Sequence, residues 1–178
     1  MDKDMKNMQA YTLIELIMTL TIISLLISYA LPNIYQLKLN YLMANERNRL
    51  TASLNLARFT AISKQLQVII CPSTSGRDCD NQSNWYGGWI IFHDDNRNRT
   101  LDQGEKLLRF EHAMVDEITA TSSIHRQKLR FNSLGFSPGT NVSINFCDAR
   151  GNDAAQAIII NNAGRVRQSK PIANNVCN

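Results

Sequence analysis

The sequence has little of what an enzyme's active site is usually built from. Its 178 residues include only 8 glycines, 4 prolines and 3 histidines. It contains no glycine-rich phosphate loop, no Gly-x-Ser-x-Gly nucleophile elbow and no Cys-x-x-Cys pair, and its histidines are scattered at positions 93, 112 and 125. These absences predict a protein that is not an enzyme and that holds no metal ion or other cofactor.

Charge is nearly absent from the N-terminal segment. Between Lys6 and Lys38 the one charged residue is Glu15, and the twenty-one residues 11–31 are mostly apolar. At about 1.5 Å per residue, such a helix spans the roughly 30 Å hydrocarbon core of a bilayer. In a secretory signal peptide the small residue at the cleavage site follows the apolar run, whereas here Ala10 precedes it. We therefore predict a membrane-spanning helix that remains on the mature protein.

Glu15 is the exception within this apolar helix. A carboxylate at such a place costs about 2.5 to 3.5 kcal/mol on insertion scales, so we expect it to have a partner. The alternative is an ordinary signal anchor in which Glu15 has no partner and no role.

The string Ala10-Tyr11-Thr12-Leu13-Ile14-Glu15-Leu16 resembles the class III signal of type IV pilins and type II secretion pseudopilins. The resemblance implies that a prepilin peptidase removes residues 1–10 and methylates the new amine of Tyr11. It also implies that Glu15, the fifth mature residue, pairs with the α-amine of a neighbouring subunit during filament assembly. Ala10 and Tyr11 stand where the family usually has glycine and phenylalanine.

Beyond Pro32 the helical pattern resumes and continues to Leu66. Four apolar residues spaced four, three and four apart predict one buried face: Leu50, Leu54, Ala57 and Ala61. Since proline removes a helical hydrogen bond, we expect a kink near Pro32. The predicted organisation is a leader at 1–10, a transmembrane or filament-core half of the helix at 11–32, an amphipathic half at 33–66, and a β-rich head at 67–178.

After Leu66 the sequence changes to short β-branched and aromatic runs separated by turn residues: LQVIIC, GWIIFH, KLLRF, RQKLRF, VSINF and QAIIIN. One long helix followed by several strands predicts an α+β, type IV pilin-like fold with one or two antiparallel sheets in the head. Several body motifs resemble the FimT/GspH branch of minor pilins and pseudopilins. They are the Trp-Tyr-Gly-Gly-Trp turn, the Asp-rich loop after Phe92, the Phe136–Gly139 turn and a terminal glycine-arginine strand.

Four cysteines allow three disulfide pairings, and their number alone cannot choose between them. Cys71 and Cys79 bracket a polar loop, and Cys177 lies one residue from the end of the chain. We favour Cys71 with Cys79 and Cys147 with Cys177, because the second bridge would tie the tail to the head. The even number is typical of an oxidising exterior.

The positive charge is concentrated in the last third of the chain. The net charge is +4, yet residues 119–178 hold seven basic and two acidic residues and are +5 on their own. Arg126, Lys128 and Arg130 occupy every second position and alternate with Leu129 and Phe131, so a strand would place all three on one face. Arg150 and Lys170 add to the charge of this region.

Near the C-terminus, a turn at residues 161–164 precedes Arg165 and Arg167. In an extended chain these two side chains project to one side about 6.6 Å apart, a spacing that suits phosphate contacts along DNA. The string Gly164-Arg165-Val166-Arg167 resembles the GRxR motif of FimT-type minor pilins, which bind DNA during natural transformation. The resemblance implies that both arginines contact phosphate and that Gly164 lets the tail turn. The alternative is that these cations pair with acidic residues of neighbouring subunits or are simply solvated.

Two further motifs have a structural interpretation that we favour. Residues 94–105 match several ligand positions of a calcium loop, but Arg99 stands where glycine is needed, so a solvated hairpin loop is favoured. Trp85, Tyr86 and Trp89 could stack bases, although aromatic residues beside a Gly-Gly turn more often pack in a core.

Three functional hypotheses follow. The first is a minor type IV pilin that binds double-stranded DNA non-specifically through its basic tail and supports DNA uptake. The second is a structural minor pilin or GspH-like pseudopilin without DNA binding, and the third is a calcium-dependent adhesin-like module. The expected partners are DNA, other pilin subunits, prepilin peptidase and the inner membrane. The expected location is the bacterial inner membrane, with the head in the periplasm, and then the extracellular pilus.

Overall fold

The computed structural model describes residues 11–173 and 175–177, which form one long helix and two four-stranded antiparallel sheets. The elements are α1 (Leu13–Lys64), β1 (Val68–Pro72), β2 (Trp89–His93), β3 (Leu107–Glu111), β4 (Thr119–Thr121), β5 (Leu129–Phe131), β6 (Val142–Cys147), β7 (Gln156–Ile160) and β8 (Val166–Ser169). The predicted α+β class and the two-sheet head are confirmed. The predicted leader, including Ala10, lies outside the described residues.

The described chain divides into an N-terminal part, residues 11–38, and a head, residues 39–177. The N-terminal part is helical from Leu13, and all of its described residues are exposed. An 18-residue window of α1 has a mean hydropathy of 2.1 and none of it is buried, so the helix is long and apolar enough to cross a membrane. Pro32 lies inside α1.

Within the head, α1 buries the predicted stripe. Leu50, Leu54, Ala57 and Ala61 are fully buried. Lys64, three residues after this stripe, is exposed, whereas two charged residues before it turn toward the head. Glu46 is 1% exposed, and Arg49 reaches across to Glu111 of β3 with a nitrogen–oxygen distance of 3.7 Å.

Each sheet has its own strand order. The first sheet runs β3-β2-β1-β5, and the second runs β4-β6-β7-β8. The β4 strand was not predicted, since three residues give too short a pattern to read. The β1 and β2 strands are buried on both faces, which explains why their sequences are continuously apolar. In β6 the burial mostly alternates, because only one face packs on the main core.

Two apolar clusters hold the head together. The larger lies between α1 and the inner faces of both sheets and includes Trp85, Phe131 and Phe146. The smaller covers the other face of the first sheet around Ile69 and Phe92. Every residue of both clusters lies in the head, so we expect the head to fold without residues 1–38.

The two disulfides join Cys71 to Cys79 and Cys147 to Cys177. This is the pairing favoured from the sequence. The second bridge closes a sequence separation of 30 residues and fastens the tail that follows β8 to the end of β6.

We predict that replacing Cys147 and Cys177 by alanine lowers the free energy of unfolding of the isolated head by roughly 2 to 4 kcal/mol, because the unfolded chain is then no longer closed into a loop. Urea denaturation under oxidising conditions measures this change, with the Cys71–Cys79 bridge left intact in both proteins. An unchanged denaturation midpoint would contradict the prediction.

Candidate nucleic-acid interface

Arg165 and Arg167 are positioned by the hairpin that joins β7 to β8. The Gly164 amide donates to the Asn161 carbonyl at 2.8 Å. The Arg165 amide donates to the Asn161 side-chain oxygen at 3.0 Å, a bond typical of Asn-initiated turns. The turn thus sets Arg165 immediately before the first residue of β8.

Strand register decides which way these arginines point. Arg167 pairs with Ile159, whereas Gln168 pairs with Ile158 of the main core. The Gln168 side-chain amide donates to the Asn48 side-chain oxygen of α1 at 2.8 Å, so Gln168 lies on the inner face. Because side chains alternate along a strand, Arg167 lies on the outer face of the second sheet, and the same alternation places Arg165 there.

Arg165, Arg167 and Lys170 are exposed. Among the residues that the structure describes, no hydrogen bond or ion pair holds their side chains. Asp153 lines the same shallow cavity of about 370 Å³ as Lys170, so an acidic group lies near that lysine. The two arginines are therefore the cations of this group best placed to meet an anionic ligand.

Arg150 is engaged within the head instead. Its guanidinium bonds to Asp148 with an Nη2–Oδ2 distance of 2.5 Å and donates to the Asn40 side-chain oxygen at 2.6 Å. Burial by itself would raise the pKa of Asp148, but the hydrogen bonds and charge of Arg150 outweigh it and lower that pKa below its usual value. Binding phosphate through Arg150 would have to compete with this pair.

The predicted cationic face of Arg126, Lys128 and Arg130 does not form as one strand. β5 begins at Leu129, and the Arg126 amide instead donates to the Ser123 carbonyl at 2.8 Å in a turn. The Lys128 ammonium donates to the Arg99 carbonyl at 3.1 Å. The Arg130 guanidinium donates to a carbonyl too, that of Pro138, at 3.4 Å. Arg126 and Lys128 precede β5, an edge strand of the first sheet, and Arg130 belongs to it. Arg167 lies in β8 of the second sheet, and Arg165 directly precedes that strand.

Gly164 has a packing role that the sequence did not reveal. It is buried with φ at +71°, and a Cβ atom there would lie 2.0 Å from the Gly135 carbonyl oxygen. The Arg58 side chain of α1 donates to that same carbonyl at 3.0 Å, and to the Ala163 carbonyl at 3.5 Å. The glycine of the motif thus lets the hairpin turn pack on the loop that follows β5.

The turn has a second attachment to the same region. The Ser137 amide donates to the Asn162 carbonyl at 2.9 Å, and the Ser137 hydroxyl donates to the Arg130 carbonyl at 2.6 Å. Ser137 and Arg58 were not predicted as supporting residues, because contacts between distant loops leave no local pattern in the sequence.

The loop at 94–105 uses its carboxylates to hold its own shape. Asp94 is 1% exposed and accepts from the Arg99 amide and the Gln67 side chain. Hydrogen bonds from Asn96 and Asn98 lower the pKa of Asp102. No group of three or more metal-ligating side chains is found among the described residues.

The aromatic cluster packs in the core, as favoured from the sequence. Trp85 and Trp89 are fully buried, and the Trp85 indole donates to the Ser122 hydroxyl at 3.0 Å. Arg49 lies 4.9 Å from the centre of the Trp89 ring. Tyr86 alone is partly exposed, at 38%.

At the N-terminus, Tyr11 and Thr12 precede the helix, and Glu15 lies in its first turn. The Glu15 amide donates to the Thr12 hydroxyl at 3.3 Å. The Glu15 residue is exposed, so its carboxylate is accessible to a partner.

Comparison with known families gives two matches. Residues 46–164 match the family described as Type II transport protein GspH. Residues 5–31 match the prokaryotic N-terminal methylation motif. No curated protein matches the chain at a significant level.

Among solved structures, the chain is similar to the type IV minor pilin FimU of Pseudomonas aeruginosa in two crystal forms. The first has 22% sequence identity and a TM-score of 0.56, and covers 72% of this chain and 88% of that one. The second has 21% identity and a TM-score of 0.55, and covers 73% and 94%. At this level of identity the likeness supports the fold alone.

We predict that Gly164→Ala destabilises the head more than Gly139→Ala does. Both glycines have a positive φ, at +71° and +75°, but a Cβ atom at Gly139 would meet nothing within 4 Å. The Gly139 variant therefore measures the backbone strain alone, about 1 to 3 kcal/mol, and the Gly164 variant adds the clash with Gly135. Thermal and urea denaturation of the two variant heads measure the loss of stability in each. Equal losses would show that the close contact between Gly164 and Gly135 does not contribute to the free energy of unfolding.

Proposed function

The chain belongs to the GspH family of type IV pilin-like proteins, and we propose that it is a minor type IV pilin that binds extracellular double-stranded DNA. Proteins of this family are structural and not enzymatic. The methylation motif and the exposed apolar helix serve to anchor such a subunit in the inner membrane before it assembles into a pilus with other pilin subunits. DNA bound on the outer surface would then be drawn in during natural transformation.

One observation carries the DNA proposal: the Arg165 and Arg167 side chains are exposed on the outer face of the second sheet, and nothing among the described residues engages them. Arginine binds phosphate through two parallel hydrogen bonds, which makes it well suited to this task. The anchored turn fixes the backbone that carries them, so binding has to order the two side chains but not the hairpin.

The proposed contact is with the phosphate backbone and not with the bases. Among the described residues of the head the one α-helix is α1, and its buried face packs on the two sheets, so the head has no separate recognition helix to read bases. Lys170 would add a third cation directly after β8, and Arg126 a fourth from the turn before β5. We therefore expect non-specific binding that weakens with salt.

The second candidate is a structural minor pilin or GspH-like pseudopilin that takes part in filament initiation or assembly without binding DNA. The match to the GspH family over residues 46–164 favours it. In that case Arg165 and Arg167 would pair with acidic side chains of a neighbouring subunit. Binding measurements on the isolated head separate the two candidates.

We predict that the isolated head, residues 39–178, binds duplex DNA with a slope of log K against log salt of about −1.8 to −3.6, which corresponds to two to four phosphate contacts. Replacing Arg165 and Arg167 together by glutamine should reduce the slope by about 1.8 and the affinity by at least about tenfold. Fluorescence anisotropy with a labelled duplex at several salt concentrations measures both quantities.

The matched control is the replacement of Arg97 and Arg99 by glutamine. These arginines have the same spacing, are exposed, and lie in the loop between β2 and β3. Their removal changes the net charge by the same amount. Because this loop lies outside the proposed interface, the variant should keep most of its affinity for DNA. If both double variants lose the same affinity, the binding reflects overall charge and the assignment to the hairpin is wrong. If the unmodified head does not bind DNA, the structural candidate is favoured.

We predict that the protein made together with its prepilin peptidase begins with an N-methylated Tyr11. The peptidase would cut after Ala10, and Glu15 would then be free to pair with the new amine of a neighbour. Mass spectrometry of the N-terminal peptide detects the added methyl group. Glu15→Gln should leave the chain in the membrane but lower its incorporation into filaments. A chain that still begins at Met1 beside an active peptidase would contradict this proposal.

A further inference from the structure

A groove opens on the outer face of the second sheet, directly beside Arg167. Its volume is about 260 Å³, and its lining includes Asn141, Ser143, Ile159, Asn161, Arg167 and Ile172. Arg167 is the one charged residue among the described residues that line it. Because this charge is positive and no carboxylate opposes it there, the groove suits a ligand that carries a negative charge.

The register of three strands sets the order of chemical groups across this groove. Ser143 of β6 pairs with Ile159 of β7, and Ile159 pairs with Arg167 of β8. Neighbouring strands lie about 4.8 Å apart, so a cation, an apolar side chain and a hydroxyl follow one another over roughly 10 Å. A nucleotide has the same order of groups, since a phosphate is followed by a base with an apolar face and a polar edge.

The polar end of the groove is available to a ligand. Asn141 lies two residues before Ser143 and lines the same end. No hydrogen bond within the part of the chain that the structure describes engages the Asn141 side chain or the Ser143 hydroxyl. An amide and a hydroxyl can each donate and accept, so together they can bond to the edge of any base without selecting one.

The C-terminal tail forms one wall of the groove through Ile172, which is 77% exposed. The tail follows β8 and is fastened again at Cys177, which is bonded to Cys147 at the end of β6. The Cys177 amide also donates to the Asn152 side-chain oxygen at 2.9 Å. Because the tail is attached on both sides of Ile172, this wall is kept beside the sheet.

We propose that the groove binds one unpaired nucleotide of the DNA that the arginines hold. Arg167 would bind the phosphate, Ile159 and Ile172 would contact the face of the base, and Ser143 and Asn141 would bond to its edge. The volume lies just below the range of pockets for drug-sized ligands, which suits one nucleoside and not a base pair.

The proposal rests on the DNA binding proposed above and adds a preference for single-stranded segments. In a duplex the bases are stacked inside, and drawing one out costs free energy, whereas an unpaired base is already accessible. On duplex DNA the contact therefore stays with the phosphates, and at frayed or unpaired ends the groove adds a contact with a base.

The test compares DNA probes with and without accessible bases. The purified full chain, in a non-ionic detergent, is titrated with a labelled single strand of about 20 nucleotides, an abasic strand of equal length and the duplex of the same sequence. The intact and abasic strands carry the same phosphates, so their comparison removes the electrostatic contribution. We expect fluorescence anisotropy to show that the intact strand binds about fivefold more tightly than the abasic strand at equal salt.

Two variants alter the groove and leave the arginines in place. Ile172→Ala removes the tail wall, and Ser143→Leu fills the polar end. Each should lower the affinity for the intact strand about fivefold, to that of the abasic strand, and leave the duplex affinity unchanged, which also shows that the variant is folded. The control is Ile124→Ala, an isoleucine that is 67% exposed in the loop between β4 and β5, and it should change neither affinity.

Equal binding of the intact and abasic strands, or a preference that survives both groove variants, would overturn the proposal. If the duplex still binds in that case, the role of the arginines stands and only the groove is wrong. If the intact strand binds as expected but the duplex does not, the groove is supported and the binding of double-stranded DNA is wrong. If none of the probes binds, both proposals fail.

Discussion

The contact between Arg58, Gly135 and Gly164 is the constraint on which the position of the candidate nucleic-acid interface depends. One guanidinium of α1 bonds to carbonyls of two loops that are far apart in sequence. The loops approach so closely that only glycine fits at position 164. Because the carbonyls of both loops are satisfied by the same side chain, the helix, the loop after β5 and the β7–β8 turn are held together as one unit.

Each of the two loops presents a different chemistry from this junction. The turn leads into Arg165 and Arg167, whose side chains face away from the helix. The loop after β5 presents Leu134 and Phe136 beside Ile62.

Much of the architecture was predictable because it rests on local patterns. The apolar run around Glu15, the Leu50 to Ala61 stripe and most strands follow from periodicity, and the two-sheet α+β head confirms them. The candidate site was predictable only in part. The sequence treats Arg150 and Arg167 as similar basic residues, yet Arg150 is paired with Asp148 and Arg167 has no such partner among the described residues. Which cations are neutralised depends on long-range packing, and a charge count does not contain that information.

The sequence by itself determined the membrane helix, the order of helix and strands, and the concentration of positive charge in the last third, since each depends on residues close together in the chain. Only the tertiary structure decided that β5 is too short to include Arg126, and that Gly164 is needed for close packing as well as for turning. The physical reason is that the partner of a backbone or charged group is chosen by the fold, across separations that no local pattern spans.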